Sequence, residues 1–457
     1  MNPFKALSLD KDMLDNLTNL NYHMMTAIQE ATIPLILKNK DILAQAKTGS
    51  GKTAAFGIGI LQNLIIERYR VQSLVICPTR ELAEQVTDEL RRIARFKHNI
   101  KILKITGGFP LEKQEHSLSH QAHIVVGTPG RIHKLLQRRT LILDELTSVV
   151  LDEADRMLDM GFLDEMVDIL SYAPDKKQLL CFSATFSDEI KVMSRTLQND
   201  PKEITVETQH DETVISQHFY EIQKGKREPV ILSILDKYKP ESTLIFCNTK
   251  DACRRVVIEL NKAGLHSLAI HGDLEQKERT EVLIRFSNGS SRVLVATDVA
   301  ARGLDIDDLG AVINYDLPFE TETYVHRIGR TGRAGKEGLA FSMIRSGQNF
   351  RLDQINEHLH SSYEPEPIPS KEETPFIPEA AMVTLSINGG RKNKISPGDL
   401  LGALTVKDGI PGTDVGKIDR LDFITFVAVK RESAVKAMKL LEEKPIKGRI
   451  FKAMRHD

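Results

Sequence analysis

Short apolar runs punctuate the chain at LVIC (74–77), HIVVG (123–127), SVVL (148–151) and QLLCFS (178–183), and none of them alternates with polar residues. Strands buried on both faces read this way, because neither side of the pleat has to meet water. A polar or glycine-rich turn and then a helical period follow each run, which predicts a parallel sheet wrapped by helices. After a polar interval around Glu207 to Arg227 the same grammar begins again, at TLIFC (243–247), HSLAI (266–270), RVLVAT (292–297) and LAFSMI (339–344). SSYEPEPIPSKEETPFIP (361–378) is proline-rich and charged and reads as a linker. Beyond it, VTLSI and FITFVAV alternate around two helical stretches, SPGDLLGALT and RESAVKAMKLLEEK, with a last strand expected at RIFKAM. That order suits a small ferredoxin-like α+β domain. The expected division is an α/β domain over 1–208, a second over 215–360, a linker over 361–379 and the small domain over 380–457.

A length of 457 residues is too great for one core and agrees with this division. Hydrophobic residues at 41% beside 27% charged exclude a disordered chain. The net charge of −1 advertises no global field for nucleic acid, but its distribution is uneven. From Ala380 onward 15 Lys and Arg stand against 9 Asp and Glu, so a tail of +6 follows a body of −7. Cys77, Cys181, Cys247 and Cys253 form no CxxC pair, which indicates neither a zinc site nor a disulfide framework and suits a reducing, cytoplasmic setting. No apolar h-region opens the chain and no run approaches a membrane span, so no membrane partner is expected.

Candidate chemistry begins at AKTGSGKT, directly after the apolar strand DILAQA. Residues Ala46, Lys47, Thr48, Gly49, Ser50, Gly51, Lys52 and Thr53 read as a phosphate-binding loop. Its glycines turn backbone N–H groups inward, Lys52 reaches the outer phosphates and the Thr53 hydroxyl is offered to Mg²⁺. DEAD (152–155) sits at the end of SVVL, where Asp152 can hold Mg²⁺ through water and Glu153 can orient or deprotonate an attacking water. HRIGRTGRAG (326–335) places Arg327, Arg330 and Arg333 three apart without an acidic neighbour. By themselves they read as a solvated helix face or as a site waiting for an anion.

Further motifs run in a fixed order along both α/β regions. They are Gln29 within YHMMTAIQ, PTRELA (78–83), GG (107–108), TPGR (128–131), SAT (183–185), LIFCNT (244–249), HGDLEQKER (271–279) and ATDVAARGLDI (296–306). Together with the phosphate loop, DEAD and HRIGRTGR, this series resembles the DEAD-box RNA helicases over nearly the whole chain. The AKTGSGKT loop together with INGGRKNKISPGDLLGAL in the tail is similar to the DbpA subgroup, which carries an RNA-recognition domain directed at large-subunit ribosomal RNA. The resemblance implies two tandem RecA-like parallel-sheet domains followed by an RRM-like domain. It implies ATP and Mg²⁺ as cofactors, and a structured ribosomal RNA hairpin and the pre-ribosomal large subunit as partners of a monomer.

It also implies roles for single residues. Gln29 would bond the adenine edge and Tyr22 would stack on the ring. The family pattern has a glycine and a proline where this chain has Asn21 and Met25, which changes the loop around the amide. Arg330 and Arg333 would be arginine fingers, His326 would join the water network and Asp305 would touch the ribose, while the role of Arg327 stays open. Ser183 and Thr185 are short hydroxyls suited to tying the DEAD loop to its neighbour. Arg80, Gly107, Gly108, Thr128 and Arg131 in the first domain, with Gly272, Asp273, Gln276, Arg279 and Thr297 in the second, would meet an RNA backbone, contacts that carry no base identity. RNA rather than DNA rests on the resemblance alone. The expected activity is local, ATP-driven separation of RNA duplexes. An ATP-gated RNA clamp without net unwinding and a DNA-directed motor of superfamily 2 are the alternatives. In the tail, Phe426 fills one of two expected stacking positions and Ile424 the other, so recognition is expected from Arg391, Lys392 and Lys394 with Lys417 and Arg420.

Overall fold

The computed structural model describes residues 2–46, 49–206, 215–222, 227–301, 308–332, 337–370 and 379–456. It falls into two compact units that divide at Gln209 and His210. The first holds seven parallel strands: β1 (Ile42–Gln45), β2 (Ser73–Ile76), β3 (Ile102–Ile105), β4 (Ile124–Gly127), β5 (Ser148–Asp152), β6 (Gln178–Ser183) and β7 (Lys202–Thr205). They pair in the order β3-β4-β2-β5-β6-β1-β7. Successive residues of each strand feed different cores: Val75, Val126, Val150 and Leu180 enter one, and Leu74, Val125, Val149 and Leu179 the other. Two buried faces explain why the runs are continuously apolar.

The second unit begins with another seven parallel strands, β8 (Ile215–Ile222), β9 (Thr243–Cys247), β10 (Ser267–Ile270), β11 (Val293–Thr297), β12 (Ala311–Asn314), β13 (Gly338–Arg345) and β14 (Pro365–Glu366). Their order is β10-β11-β9-β12-β13-β8-β14, again with a core on each face. β14 lies in the segment expected as linker. It joins the sheet because Glu366 bonds His218 Nδ1 at 2.9 Å and Tyr363 packs on Phe219 at 5.3 Å between ring centroids. The linker therefore starts later than the composition suggests.

The tail forms a third, antiparallel sheet ordered β16-β17-β15-β18, from β15 (Met382–Ile387), β16 (Val415–Arg420), β17 (Thr425–Lys430) and β18 (Ala453–His456). Val383, Leu385, Ile387, Val427 and Val429 face the helices Pro397–Leu404 and Ala434–Glu443 and form its core. Ser396 starts the first helix with a reciprocal cap, its hydroxyl accepting from Asp399 N–H while the Asp399 carboxylate accepts from Ser396 N–H. The last strand runs later than RIFKAM suggests, because Ile446 and Arg449 close a tight turn with positive φ at Lys447 and Gly448. Among the described residues no helix is long and apolar enough to cross a membrane.

Candidate active site and nucleic-acid interface

In the first sheet, strand order sorts the motifs. β1, β6 and β5 are neighbours, and their carboxyl ends carry the phosphate loop, SAT and DEAD. β2, β4 and β3 are the next three, and after them come PTRELA, TPGR and GG. Loops beyond the carboxyl ends of a parallel sheet are where such folds bind ligands.

At the phosphate loop Gly49 and Gly51 take φ of +80° and +93°, a conformation costly for any side chain. A Cβ on Gly51 would also lie 2.5 Å from Gln29 Nε2. Gly51 leads into the helix Lys52–Asn63, whose positive end faces the loop. That helix packs tightly on the helix Ala27–Leu37, since a Cβ on Gly59 would come within 2.3 Å of Ile36 Cγ2. This approach brings Gln29 to the loop: its Nε2 donates to Gly51 O at 3.2 Å and its Oε1 accepts from Thr26 N–H at 2.9 Å. The amide keeps one N–H and one lone pair for a base edge. The Tyr22 hydroxyl donates to Glu89 at 2.5 Å and accepts from Arg92 at 2.7 Å. Burial and Glu89 push it up to about 12.

Lys52 is buried and donates to Ala46 O at 2.9 Å. Among the described residues Asp152 Oδ1 is buried without a partner, as is Ser50 Oγ. Burial pushes the Asp152 carboxyl up to about 6 against the pull of Lys52, and Glu153 adds to the rise. An orphaned carboxylate oxygen at a strand end beside a glycine cradle fits a magnesium nucleotide. Glu153 stands at a φ of +56°, rare for a side chain, and accepts from Arg156 Nη1 at 2.8 Å. The tie between DEAD and SAT runs through a residue the sequence reading passed over. Asp155 Oδ2 accepts from Ala184 N–H at 3.0 Å, Thr185 N–H at 3.1 Å and the Thr185 hydroxyl at 3.4 Å. Ser183 is buried, and its hydroxyl accepts from Thr185 N–H at 3.4 Å.

On the other half of the sheet edge the Arg80 guanidinium lies over Gly107, where a Cβ would sit 3.0 Å from Nη2. Arg131 donates to Phe109 O and Gln114 Oε1, both at 3.0 Å. Burial lowers the Arg131 pKa and the neighbouring Arg80 lowers it further, so the two guanidinium groups stand close enough to repel each other. Gly108 has positive φ, and Thr128 is half-buried before the helix Pro129–Gln137.

In the second unit β10, β11 and β9 repeat the arrangement of β3, β4 and β2. Gly272 is open, with space for a Cβ, and Gln276 and Arg279 lie on the first turn of the helix Gln276–Ser287. Arg279 Nη2 reaches Ala300 O at 3.3 Å, and Thr297 ends β11. Asp273 is held by Lys250 at 3.1 Å and Arg254 at 2.6 Å, which lowers its pKa. Arg327 is 2% exposed and makes five hydrogen bonds. Two go to the Asp298 carboxylate at 2.6 Å, the others to Asn314 Oδ1, Asp316 O and Asn248 Oδ1, and its guanidinium stands 4.9 Å from the Phe246 ring centroid. It knits the ends of β9, β11 and β12, so this arginine of the row is spent on the fold. Arg330 is buried and His326 exposed on the same segment. Arg333, Asp305, Lys47 and Thr48 lie outside the described residues.

In the tail the glycines of INGG let two segments touch, since a Cβ on Gly390 would fall 2.2 Å from Leu421 O. Arg391 N–H and Lys392 N–H donate to Leu421 O and Asp422 O, both at 2.9 Å, leaving Arg391, Lys392 and Lys394 exposed on a braced loop. Arg420 supports this loop through Ile395 O at 2.8 Å. Lys417 points elsewhere, to Ser287 Oγ at 3.2 Å in the second α/β domain.

A phosphate loop, a buried carboxylate beside it and a row of anion-receptive loops on one sheet edge define a nucleoside-triphosphate hydrolase that also holds a second polyanion. The DEAD/DEAH box helicase family matches residues 26–193, the helicase conserved C-terminal domain 225–335 and the DbpA RNA binding domain 384–455. The chain is 47% identical to ATP-dependent RNA helicase DbpA of Escherichia coli K12 over 98% of both chains, and 35% identical to that of Bacillus subtilis 168 over 99% of both. Among solved structures, S. cerevisiae Dbp5 bound to RNA and ADP BeF3 matches with a TM-score of 0.72 at 30% identity, covering 80% of this chain and 95% of that one. The chain belongs to the DEAD-box ATP-dependent RNA helicases, in the DbpA branch. It is an RNA-stimulated ATPase and an ATP-dependent RNA helicase with an RNA-binding tail.

Proposed function

We propose that the chain separates short RNA duplexes locally, beside a hairpin of 23S ribosomal RNA gripped by its tail, and that it does so as a cytoplasmic monomer during assembly of the large ribosomal subunit. The observation that supports this most is the split of the first sheet's edge, with ATP chemistry on β5, β6 and β1 and backbone-receptive loops on β3, β4 and β2. β2 and β5 are paired, so the two loop sets share one rigid sheet.

Lys52 neutralises the outer phosphates, and Gln29 and Tyr22 select adenine. Thr53 and Asp152 would hold Mg²⁺, the carboxylate through water, and the ion would supply charge neutralisation on the phosphates. Glu153 orients the attacking water. Arg330 and Arg333 stabilise charge that develops in the transition state, an effect worth about 10³- to 10⁵-fold in rate. His326 joins the water network and Asp305 the ribose. Body contacts to the backbone carry no base identity, so target choice falls to Arg391, Lys392 and Lys394.

Separation of a short duplex, measured with and without ATP, tests this reading. RNA separation should require ATP and should accelerate when the ribosomal hairpin adjoins the duplex. ATP-dependent retention of RNA without separation would establish a clamp, and equal action on DNA a DNA-directed motor.

A further inference from the structure

The tail sheet has a second face, opposite its helices, formed by Thr384, Ser386, Phe426, Ala428 and His456. RNA-recognition folds commonly stack bases on this face. Here Thr384 and Ala428 have no exposed surface and Phe426 is 4% exposed. What covers them includes the end of the helix Gln276–Ser287 and the turn that follows it. Asn288 Nδ2 donates to Thr384 Oγ1 at 2.9 Å, and Thr384 Oγ1 donates to Ser290 Oγ at 2.8 Å. His456 Nδ1 pairs with Glu281 at 2.8 Å while its Nε2 meets Ser386 Oγ at 2.8 Å, and its ring leans on Phe426 at 5.6 Å. Lys417 adds its bond to Ser287.

These contacts are polar and matched in pairs; the Asn288–Thr384 bond is buried, those of Ser290, His456, Ser386 and Glu281 are partly buried, and the Lys417–Ser287 bond lies at the exposed rim. Buried polar pairs cost free energy unless every member is satisfied, so they fix one register rather than a loose association. The same helix carries Gln276 and Arg279 on its first turn, and its 12 residues span about 18 Å at 1.5 Å per residue. One rigid rod therefore runs from the tail sheet to the candidate backbone contacts of the second α/β domain.

We propose that this sheet face is an intramolecular docking surface for the helix Gln276–Ser287, and that the docked tail works as a ruler, presenting RNA bound at its basic loop to the helicase body at one fixed spacing. The ruler rests on the hairpin reading above; the docking does not. A tail swinging on its linker would instead tolerate a wide range of spacings.

The test uses the full chain. Dyes are attached at Lys262→Cys and Lys436→Cys, both exposed, while the four native thiols are buried. Single-molecule energy transfer should give one narrow population. His456→Glu sets two carboxylates against each other and should broaden it, and the swap Glu281→His with His456→Glu should restore it. A broad distribution in the parent, or a narrow one unchanged by His456→Glu, overturns the docking.

The second readout is separation of duplexes placed at graded distances from the hairpin. The parent should favour one spacing by about tenfold, equivalent to about 1.4 kcal/mol. His456→Glu should flatten that preference while hairpin affinity stays within about twofold, the dock and the grip being separate surfaces. A flat profile in the parent sinks the ruler. Absence of hairpin binding in the parent sinks the hairpin reading and the ruler with it, and leaves the docking to the dye measurement.

Discussion

Arg327→Ala is the sharpest test of how the arginine row is divided. The change removes five hydrogen bonds, leaving the Asp298 carboxylate without its bidentate partner and Asn248, Asn314 and the Asp316 carbonyl without a donor. Breaking a buried ion pair from one side costs about 3–5 kcal/mol. Asp298 keeps 23% of its side chain exposed, so water enters on that side. We therefore expect about 4 kcal/mol, near the middle of the range. With a slope of about 2–3 kcal/mol/M, the urea midpoint of this domain should fall by about 1.5 M. Arg327→Lys keeps the charge but not the planar fork and should lose about half as much. The chain has no tryptophan, so Phe319→Trp, at a position 77% exposed, reports on the second α/β domain alone. A midpoint within about 0.3 M of the parent, together with lost RNA-stimulated turnover, would make Arg327 an anion reader and refute its structural role.

Arg330→Ala should leave ATP affinity within several-fold and cut turnover by at least about 10²-fold, because a finger acts in the transition state; unchanged RNA-stimulated turnover returns this arginine to the fold as well. Asp152 binds its proton more tightly folded, at about 6, than unfolded, at 3.8. The stability this gives the nucleotide-free chain is present below about pH 4 and lost as pH rises through about 6, up to about 3 kcal/mol, and Asp152→Asn should remove that slope from first-domain unfolding. Neutralising Arg391, Lys392 and Lys394 together should weaken hairpin binding and lower its log-log salt slope by about two to three, while RNA-saturated ATPase stays intact; an unchanged slope would move recognition off this loop. Gly51→Ala should weaken ATP binding and loosen adenine selectivity, since the new Cβ lands 2.5 Å from Gln29 Nε2 at a φ of +93°; nucleotide titrations matching the parent would separate Gln29 from the loop.

What the sequence determines here is local or repetitive. Nonalternating runs such as SVVL and QLLCFS identify strands buried on both sides, because burial of two faces leaves no position for a polar residue. The glycines of AKTGSGKT declare a turn around phosphate, since few other residues adopt that backbone. The restart after Arg227 and the basic tail are likewise visible in the order of residues. Other features need the chain folded. Asp155 reads as one more acid of DEAD until β5 and β6 pair and bring Ala184 and Thr185 to its carboxylate. HRIGRTGR looks uniform, and only the arrangement of β9, β11 and β12 consumes Arg327 internally. The tail strands show which residues alternate but not what lies over their second face, where Thr384 meets Asn288 from 96 positions earlier. A strand's period reports that a face is polar or apolar. Its partner is chosen by strand order and packing between distant segments, and no local pattern records that choice.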